Sequence, residues 1–259
     1  MTASRTQADA RSLFDQHAAK LRFEAAPPSA ATTLSTAYDV QDAFVALMRP
    51  REGPVAGYKI GLTSPRMQAM CGIDQPISGV VLAQRVRGSG ATLSRSAYGR
   101  LGLEFEIAMR IGLDARGGNH TAHSVRAHVD AVCAGIEIVD DRNADYKALD
   151  VRGLVADNSW NEGMVLSQWV SPWPDLGAAV GVVHANDRAV DRGFGRDVLG
   201  DPFVALAWLA NHLHARGECL RAGQVVMTGS LVPTRFPLED TAFRYELAGI
   251  GSASVNVIA

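Results

Sequence analysis

Leu103-Glu104-Phe105-Glu106-Ile107 alternates apolar and acidic residues. A period of two is the signature of a β-strand with two unlike faces. Leu103, Phe105 and Ile107 are expected to enter a core. Glu104 and Glu106 then share the opposite face, about 6.5–7 Å apart along the strand. Carboxylates so close repel unless positive charge lies between them, and a divalent cation is one solution. An amphipathic strand with a solvated acidic face is the other reading of the same residues.

Further along, Ala134-Gly135-Ile136-Glu137-Ile138-Val139-Asp140-Asp141-Arg142 reads as a second apolar strand with an acid in its middle. An ionised glutamate among β-branched residues is costly unless paired. An open sheet face, or a pairing with Arg142, would also accommodate Glu137. Joined to Glu104 and Glu106, it makes a three-carboxylate site. Such a site is all hard oxygen, with no histidine or thiolate, and selects Mg²⁺ or Mn²⁺ over zinc.

Gly57-Tyr58-Lys59-Ile60-Gly61-Leu62-Thr63-Ser64 places one lysine in an apolar, glycine-flanked strand. Lys59 there is a proton carrier with a lowered pKa, a charge partner for the acids, or a side chain reaching from an edge strand to water. Val225-Val226-Met227-Thr228-Gly229-Ser230 is a strand ending in hydroxyls and a glycine, which suits either a carboxylate-holding turn or an ordinary loop. Val155-Ala156-Asp157-Asn158 puts an acid and an amide at a strand end, the composition of a turn.

The chain has 259 residues, a net charge of −2 and 20% charged residues. That balance gives no general attraction to nucleic acid or to an anionic membrane. Cys71, Cys133 and Cys219 are odd in number and widely spaced, which argues against a disulfide framework. The N-terminus has no apolar signal-peptide core, and no stretch approaches the ~18 apolar residues of a membrane span. A cytoplasmic protein is expected.

Residues 1–50 read as a helical N-terminal segment, and residues 51–259 as the main body. Leu13, Phe14, Ala18 and Leu21 recur at helical spacing. A second helix is expected from Ser35 as N-cap to Pro50 as stop. Beyond Gly53, candidate strands fall at 56–61, 79–83, 103–111, 135–140, 163–167, 178–184, 224–228, 241–247 and 253–258. Ser64-Pro65 and Asp201-Pro202 each open a helix. Ser124 is expected to cap another, with Val125, Val129 and Val132 on one face. Strands outnumber helices and do not alternate with them, so an α+β or all-β roll is favoured over a doubly wound fold.

Other signals are weak. His120-x-x-His123, in a glycine-rich loop, and His212-x-His214, on a helix where i and i+2 diverge, read as surface histidines. Gly88-Ser89-Gly90 lacks the third glycine of a dinucleotide fingerprint. Adjacent strand residues face opposite ways, so Asp140 and Asp141 cannot share a proton.

Tyr58-Lys59-Ile60-Gly61-Leu62-Thr63-Ser64, Asp74-Gln75-Pro76-Ile77-Ser78-Gly79, Glu104-Phe105-Glu106, Ile136-Glu137-Ile138-Val139-Asp140, Ala156-Asp157-Asn158, Val198-Leu199-Gly200-Asp201-Pro202, Ala207-Trp208-Leu209-Ala210-Asn211 and Met227-Thr228-Gly229-Ser230 occur in that order. Together they resemble the hydratase/decarboxylase branch of the fumarylacetoacetate hydrolase superfamily. The resemblance implies a mixed β-roll with a helical N-terminal part. It implies Mg²⁺ or Mn²⁺ on Glu104, Glu106 and Glu137, Lys59 as the catalytic lysine, and Leu62, Thr228, Gly229 and Ser230 at the substrate. Three positions depart from the pattern: Trp160 stands where a small hydroxyl residue is usual, Ile77 where hydratases often carry aspartate, and Phe105 where alanine is common.

The implied activity is a metal-dependent lyase that adds water to a short 2-hydroxy-dienoic or 2-oxo-enoic acid. The alternatives are a 2-oxo acid decarboxylase of the 4-oxalocrotonate type, a C–C hydrolase, and a catalytically silent homologue paired with a partner lyase subunit. A distal substrate carboxylate would need Arg66, Arg142 or Arg235. A homo-oligomer is implied by the resemblance alone.

Overall fold

The computed structural model describes residues 2–259. Two helices open the chain, α1 (Thr2–Ala18) and α2 (Leu34–Glu52). After them come β1 (Val55–Gly61), α3 (Pro65–Met70), β2 (Ile77–Leu82), β3 (Val86–Gly88), β4 (Ala91–Ser94) and β5 (Leu101–Ile111). The middle of the chain carries α4 (Ala122–Val125), β6 (Val129–Asp140), α5 (Val151–Ala156), β7 (Asn161–Leu166), β8 (Val180–Ala185) and β9 (Arg188–Phe194). The remainder is α6 (Pro202–Ala215), β10 (Val225–Ser230), β11 (Thr241–Leu247) and β12 (Gly251–Ile258).

The strands form two mixed sheets, ordered β2-β1-β10-β5-β6-β7-β3 and β4-β12-β11-β8-β9. β1 runs parallel to β10, β3 to β7 and β12 to β4. This is the α+β mixed roll expected from the sequence. Leu103, Phe105 and Ile107 are fully buried between the sheets. The Phe105 ring lies 6.0 Å from Phe243 and 5.6 Å from Tyr245 of β11, so the apolar face of β5 is what joins one sheet to the other. α6 lays Phe203, Leu206, Leu209, Ala210 and Leu213 into the same core. A second apolar cluster joins α1 and α2 to Ile77, Leu82, Val139, Leu154 and Trp160. Among the described residues no helix is long and apolar enough to cross a membrane.

Local chemistry accounts for the helix starts. Ser64 and Asp201 cap α3 and α6, each followed by proline at the first helical position. α2 starts two residues earlier than expected, with Thr33 as N-cap in place of Ser35 and Thr33 and Thr36 making a reciprocal capping box. Pro50 does not stop it. It sits in the last turn, and the stop is Gly53 in a left-handed conformation at φ 84°.

The valine face expected after Ser124 is also corrected. Thr121, not Ser124, is the cap, and α4 ends at Val125. Val129 and Val132 belong to β6, opposite Ile111 and Met109 of β5. Pairing with a neighbouring strand outweighs a spacing that fits a helix, and β-branched residues favour that outcome. β9 carries no strand signal in the sequence, because its residues, Arg188-Ala189-Val190-Asp191-Arg192-Gly193-Phe194, form a polar edge strand without an apolar period. It follows β8 through Asn186 and Asp187, both left-handed, as a two-residue hairpin turn requires.

Candidate active site

The antiparallel register of β5 and β6 sets Glu104 directly opposite Glu137 and Glu106 opposite Gly135. Opposed residues share a face of the sheet. On the other side of β5 lies β10, with Met227 opposite Ala108, and beyond it β1, with Lys59 opposite Met227. Lys59 therefore rises from the same face as the glutamates. Gly135 leaves room for the Met227 side chain, whose Cε would lie 2.8 Å from a Cβ there.

Glu104, Glu106 and Glu137 each bring a carboxylate oxygen within 4.8 Å of the others. Glu106 and Glu137 are fully buried, and Lys59 nearly so. Lys59 Nζ lies 3.3 Å from Glu137 Oε1. Asn161 Nδ2 donates to the same oxygen at 2.9 Å. The Gly229 amide donates to Glu106 Oε2 at 2.7 Å, and the Thr234 hydroxyl to Glu104 Oε1 at 2.6 Å. Glu106 Oε1 and Glu137 Oε2 are buried with no partner. Orphaned buried carboxylate oxygens are costly, and two of them facing one cluster fit a hard divalent cation.

The electrostatics agree with that fit. Burial, then the charges of Glu137 and Glu104, pushes the Glu106 carboxyl well above its usual range, against the Gly229 amide and Lys59. Burial pushes Glu137 up to about 7, with Lys59 opposing and Glu104 reinforcing the rise. Burial alone would lower Lys59, but the three carboxylates raise it instead. Of the readings the sequence left open for Lys59, the structure places it as charge partner of the acids, with its pKa raised rather than lowered.

Thr228, Gly229 and Ser230 form no separate turn: they are the last residues of β10, where its register with β5 shifts, and all three donate to protein acceptors. Thr228 donates to Ile107 O at 2.9 Å and Ser230 to Val232 O at 2.8 Å, while Gly229 steadies Glu106. Gly229 has a φ of +116°, and a Cβ there would meet Thr63 Oγ1 at 2.3 Å. Leu62 leaves β1 in a left-handed conformation at φ 55°, its carbonyl accepting from Gln68 Nε2 at 2.9 Å. A branched residue holds such a conformation only where its surroundings fix it. Of the three arginines suggested for a distal carboxylate, Arg142 is buried on Asp157 and Arg235 pairs with Asp191 at 2.5 Å. Arg66 is exposed. His212 is not a surface histidine. Its ring stacks on Trp208 at 5.0 Å, and burial, with Arg216 adding, lowers its pKa to about 4.

Three features of the site had no sequence signal strong enough to find them. Thr234 and Asn161 reach their glutamates only through tertiary packing. The third is Asn158-Ser159-Trp160, which carries φ values of 51°, 51° and 59°. Each left-handed non-glycine residue costs on the order of 1–3 kcal/mol. The Asp157-Asn158 pair expected at a strand end lies instead at the end of α5. The turn is docked on β2: Asn158 Oδ1 accepts from Val80 N at 2.7 Å and Nδ2 donates to Val80 O at 2.9 Å. Ser159 Oγ donates to Ser78 O at 3.0 Å. Gly79 makes the approach fit, since a Cβ would meet Asn158 O at 2.6 Å. Trp160 is 8% exposed and packs edge-on between Phe23 at 5.3 Å and Tyr146 at 5.6 Å.

The family described as fumarylacetoacetate (FAA) hydrolase C-terminal matches residues 67–258. The 2-keto-4-pentenoate hydratase of Burkholderia vietnamiensis (strain G4 / LMG 22486) is 33% identical over 220 residues, 83% of each chain. The 4-oxalocrotonate decarboxylase of Pseudomonas sp. (strain CF600) is 32% identical over 231 residues, 87% of this chain and 86% of that one. The structure of 4-oxalocrotonate decarboxylase from Pseudomonas putida G7, complexed with magnesium and adipate, superposes with a TM-score of 0.93 at 27% identity. It covers 100% of this chain and 99% of its own.

Proposed function

Because the chain belongs to the fumarylacetoacetate hydrolase family, we propose that it is a divalent-metal-dependent hydratase of a short 2-hydroxy-dienoic or 2-oxo-enoic acid. The observation that carries this is the buried cluster of Glu104, Glu106, Glu137 and Lys59 with two unpartnered carboxylate oxygens. Glu104, Glu106 and Glu137 would hold Mg²⁺ or Mn²⁺. Bound there, the cation supplies Lewis acidity toward the 2-oxygen of the substrate.

This chain's own residues do the rest. Lys59, with the cation, balances the three carboxylates, so the site does not repel an anionic substrate. Lys59 is the proton carrier: it moves a proton between the 2-hydroxyl and the carbon chain, converting the dienol to the α,β-unsaturated ketone. Water then adds across the conjugated double bond, its hydroxyl to one carbon and its proton to the neighbour. Leu62 and the end of β10 at Thr228–Ser230 contact the substrate's acid group, which requires the Thr228 hydroxyl to turn from Ile107 O. Asn161, Thr234 and the Gly229 amide keep the three glutamates aimed.

The whole-chain likeness to a decarboxylase structure supports a second reading, loss of CO₂ from a 2-oxo diacid at the same cluster. A silent subunit would have no reason to keep this cluster. The reading includes assembly as a homo-oligomer in the cytoplasm, which sedimentation and fractionation would check.

The first test is calorimetry of Mn²⁺ and Mg²⁺ on this chain and on Glu106→Ala, with oxalate titrated afterwards. Binding lost in the variant, and oxalate uptake only with metal, is expected. No metal uptake by the unaltered chain would sink the lyase reading. Spectrophotometry on 2-hydroxypenta-2,4-dienoate against 4-oxalocrotonate then separates water addition from decarboxylation.

A further inference from the structure

We infer that His17 is a positioning residue for this metal centre: from the N-terminal helix it grips both ends of the left-handed turn that sets Glu137. The inference rests on the metal-dependent reading above. His17 lies in the last turn of α1. Its Nε2 meets Asp157 Oδ1, and its Nδ1 lies 3.5 Å from Glu162 Oε1. Those two acids bracket Asn158-Ser159-Trp160-Asn161. One imidazole therefore reaches the entry and the exit of the strained turn, with a carboxylate beside each ring nitrogen.

Each acid has a second anchor on the main body. Arg142 Nη2 meets Asp157 Oδ2 and its Nη1 donates to Leu21 O at 3.1 Å. Arg85 Nη1 donates to Glu162 Oε2 at 2.7 Å and to Asn161 O at 3.2 Å. Asp157 and Arg142 are almost wholly sealed from solvent. The route from His17 to the site is short. The turn fixes Asn161, and Asn161 Nδ2 donates to Glu137 Oε1, the oxygen that also faces Lys59. The turn's other contact, Asn158 on Val80, lies beside Gly79, which is paired with Lys59. A local geometry that three residues adopt only under constraint needs such an external clamp. Partners that orient metal ligands in this indirect way tune affinity without touching the ion.

The plain alternative is that His17 only docks α1. Leu13→Ala serves as the control, since Leu13 is a buried apolar anchor on the same helix. Mn²⁺ affinity of the full chain would be measured by calorimetry for the unaltered protein, His17→Phe, His17→Gln and Leu13→Ala. His17→Phe is expected to weaken Mn²⁺ binding by about 10-fold or more. His17→Gln keeps one donor toward Asp157 and should fall between. Leu13→Ala should lower the melting temperature and leave the affinity unchanged. Unchanged affinity in His17→Phe, or in His17→Gln if the phenylalanine variant does not fold, overturns the inference, as does an equal loss in Leu13→Ala.

Amide exchange supplies a readout that needs no metal. Faster exchange over 158–162 in the His17 variants, but not in Leu13→Ala, is the expected signature. If the unaltered chain takes up no Mn²⁺, the metal reading falls. The exchange result then still upholds or overturns the grip on the turn.

Discussion

Lys59 Nζ and Glu137 Oε1 stand 3.3 Å apart in a region sealed from solvent, and the lysine is the single cation facing three carboxylates among the described residues. Replacing Lys59 by methionine keeps the volume and removes the charge. Breaking a buried pair from one side costs about 3–5 kcal/mol, because the remaining charge is left uncompensated. The metal-free variant is expected to melt well below the unaltered chain. Added Mn²⁺ should restore more of that loss in the variant than it adds to the unaltered protein. Turnover should fall by about 10²–10⁴ if Lys59 carries the proton. Thermal scans with and without Mn²⁺, beside a steady-state assay, check both expectations.

Gly229 is held at φ +116° with Thr63 against it and its amide on Glu106. Gly229→Ala adds a Cβ where Thr63 Oγ1 already sits, in a conformation L-residues avoid. A stability loss of at least about 1 kcal/mol is expected, together with weaker metal binding, because the amide that orients Glu106 must move. An alanine variant with unaltered melting and affinity would show that the Gly229 amide is not what aims Glu106.

His17 predicts a pH signature in stability. Burial lowers its pKa, but Asp157, both by charge and by hydrogen bond, and Glu162 raise it further, against Arg142, to about 9 from 6.5. A group raised on folding stabilises fully below its unfolded pKa and loses that contribution as pH rises through its folded one. The contribution is at most about 3 kcal/mol. Melting temperature is therefore expected to decline between about pH 6.5 and 9 in the unaltered chain. The decline should be much shallower in His17→Gln. Parallel curves for the two proteins would remove His17 as the cause.

Trp160 tests how much of its site is packing. Its ring is buried between Phe23 and Tyr146, but its Nε1 has no partner. Trp160→Ala should cost about 3–5 kcal/mol through the cavity left behind. Trp160→Phe should cost clearly less, since no hydrogen bond is broken. Chemical denaturation of the two variants decides this, and equal losses would point to a contact made by the indole nitrogen.

The sequence by itself determined what local periodicity and capping determine. Alternation along 103–107 placed three side chains in the core and two acids opposite. The acid inside 136–138 and the lysine inside 57–61 marked the other strands of the site. Ser64-Pro65 and Asp201-Pro202 placed two helix starts, because capping is read within one turn. Register belonged to the tertiary structure. Only the β5–β6 pairing brings Glu104 opposite Glu137, and only β10 between β5 and β1 brings Lys59 to them. The same holds for Val129 and Val132, whose spacing suits a helix but whose neighbours make them a strand. Asn161, Thr234 and His17 carry no local mark at all. Each acts across more than a hundred residues or through a turn whose left-handed backbone is imposed from outside. Such a conformation is unfavourable for the residues that adopt it, so propensity points away from it and only the surrounding contacts decide it.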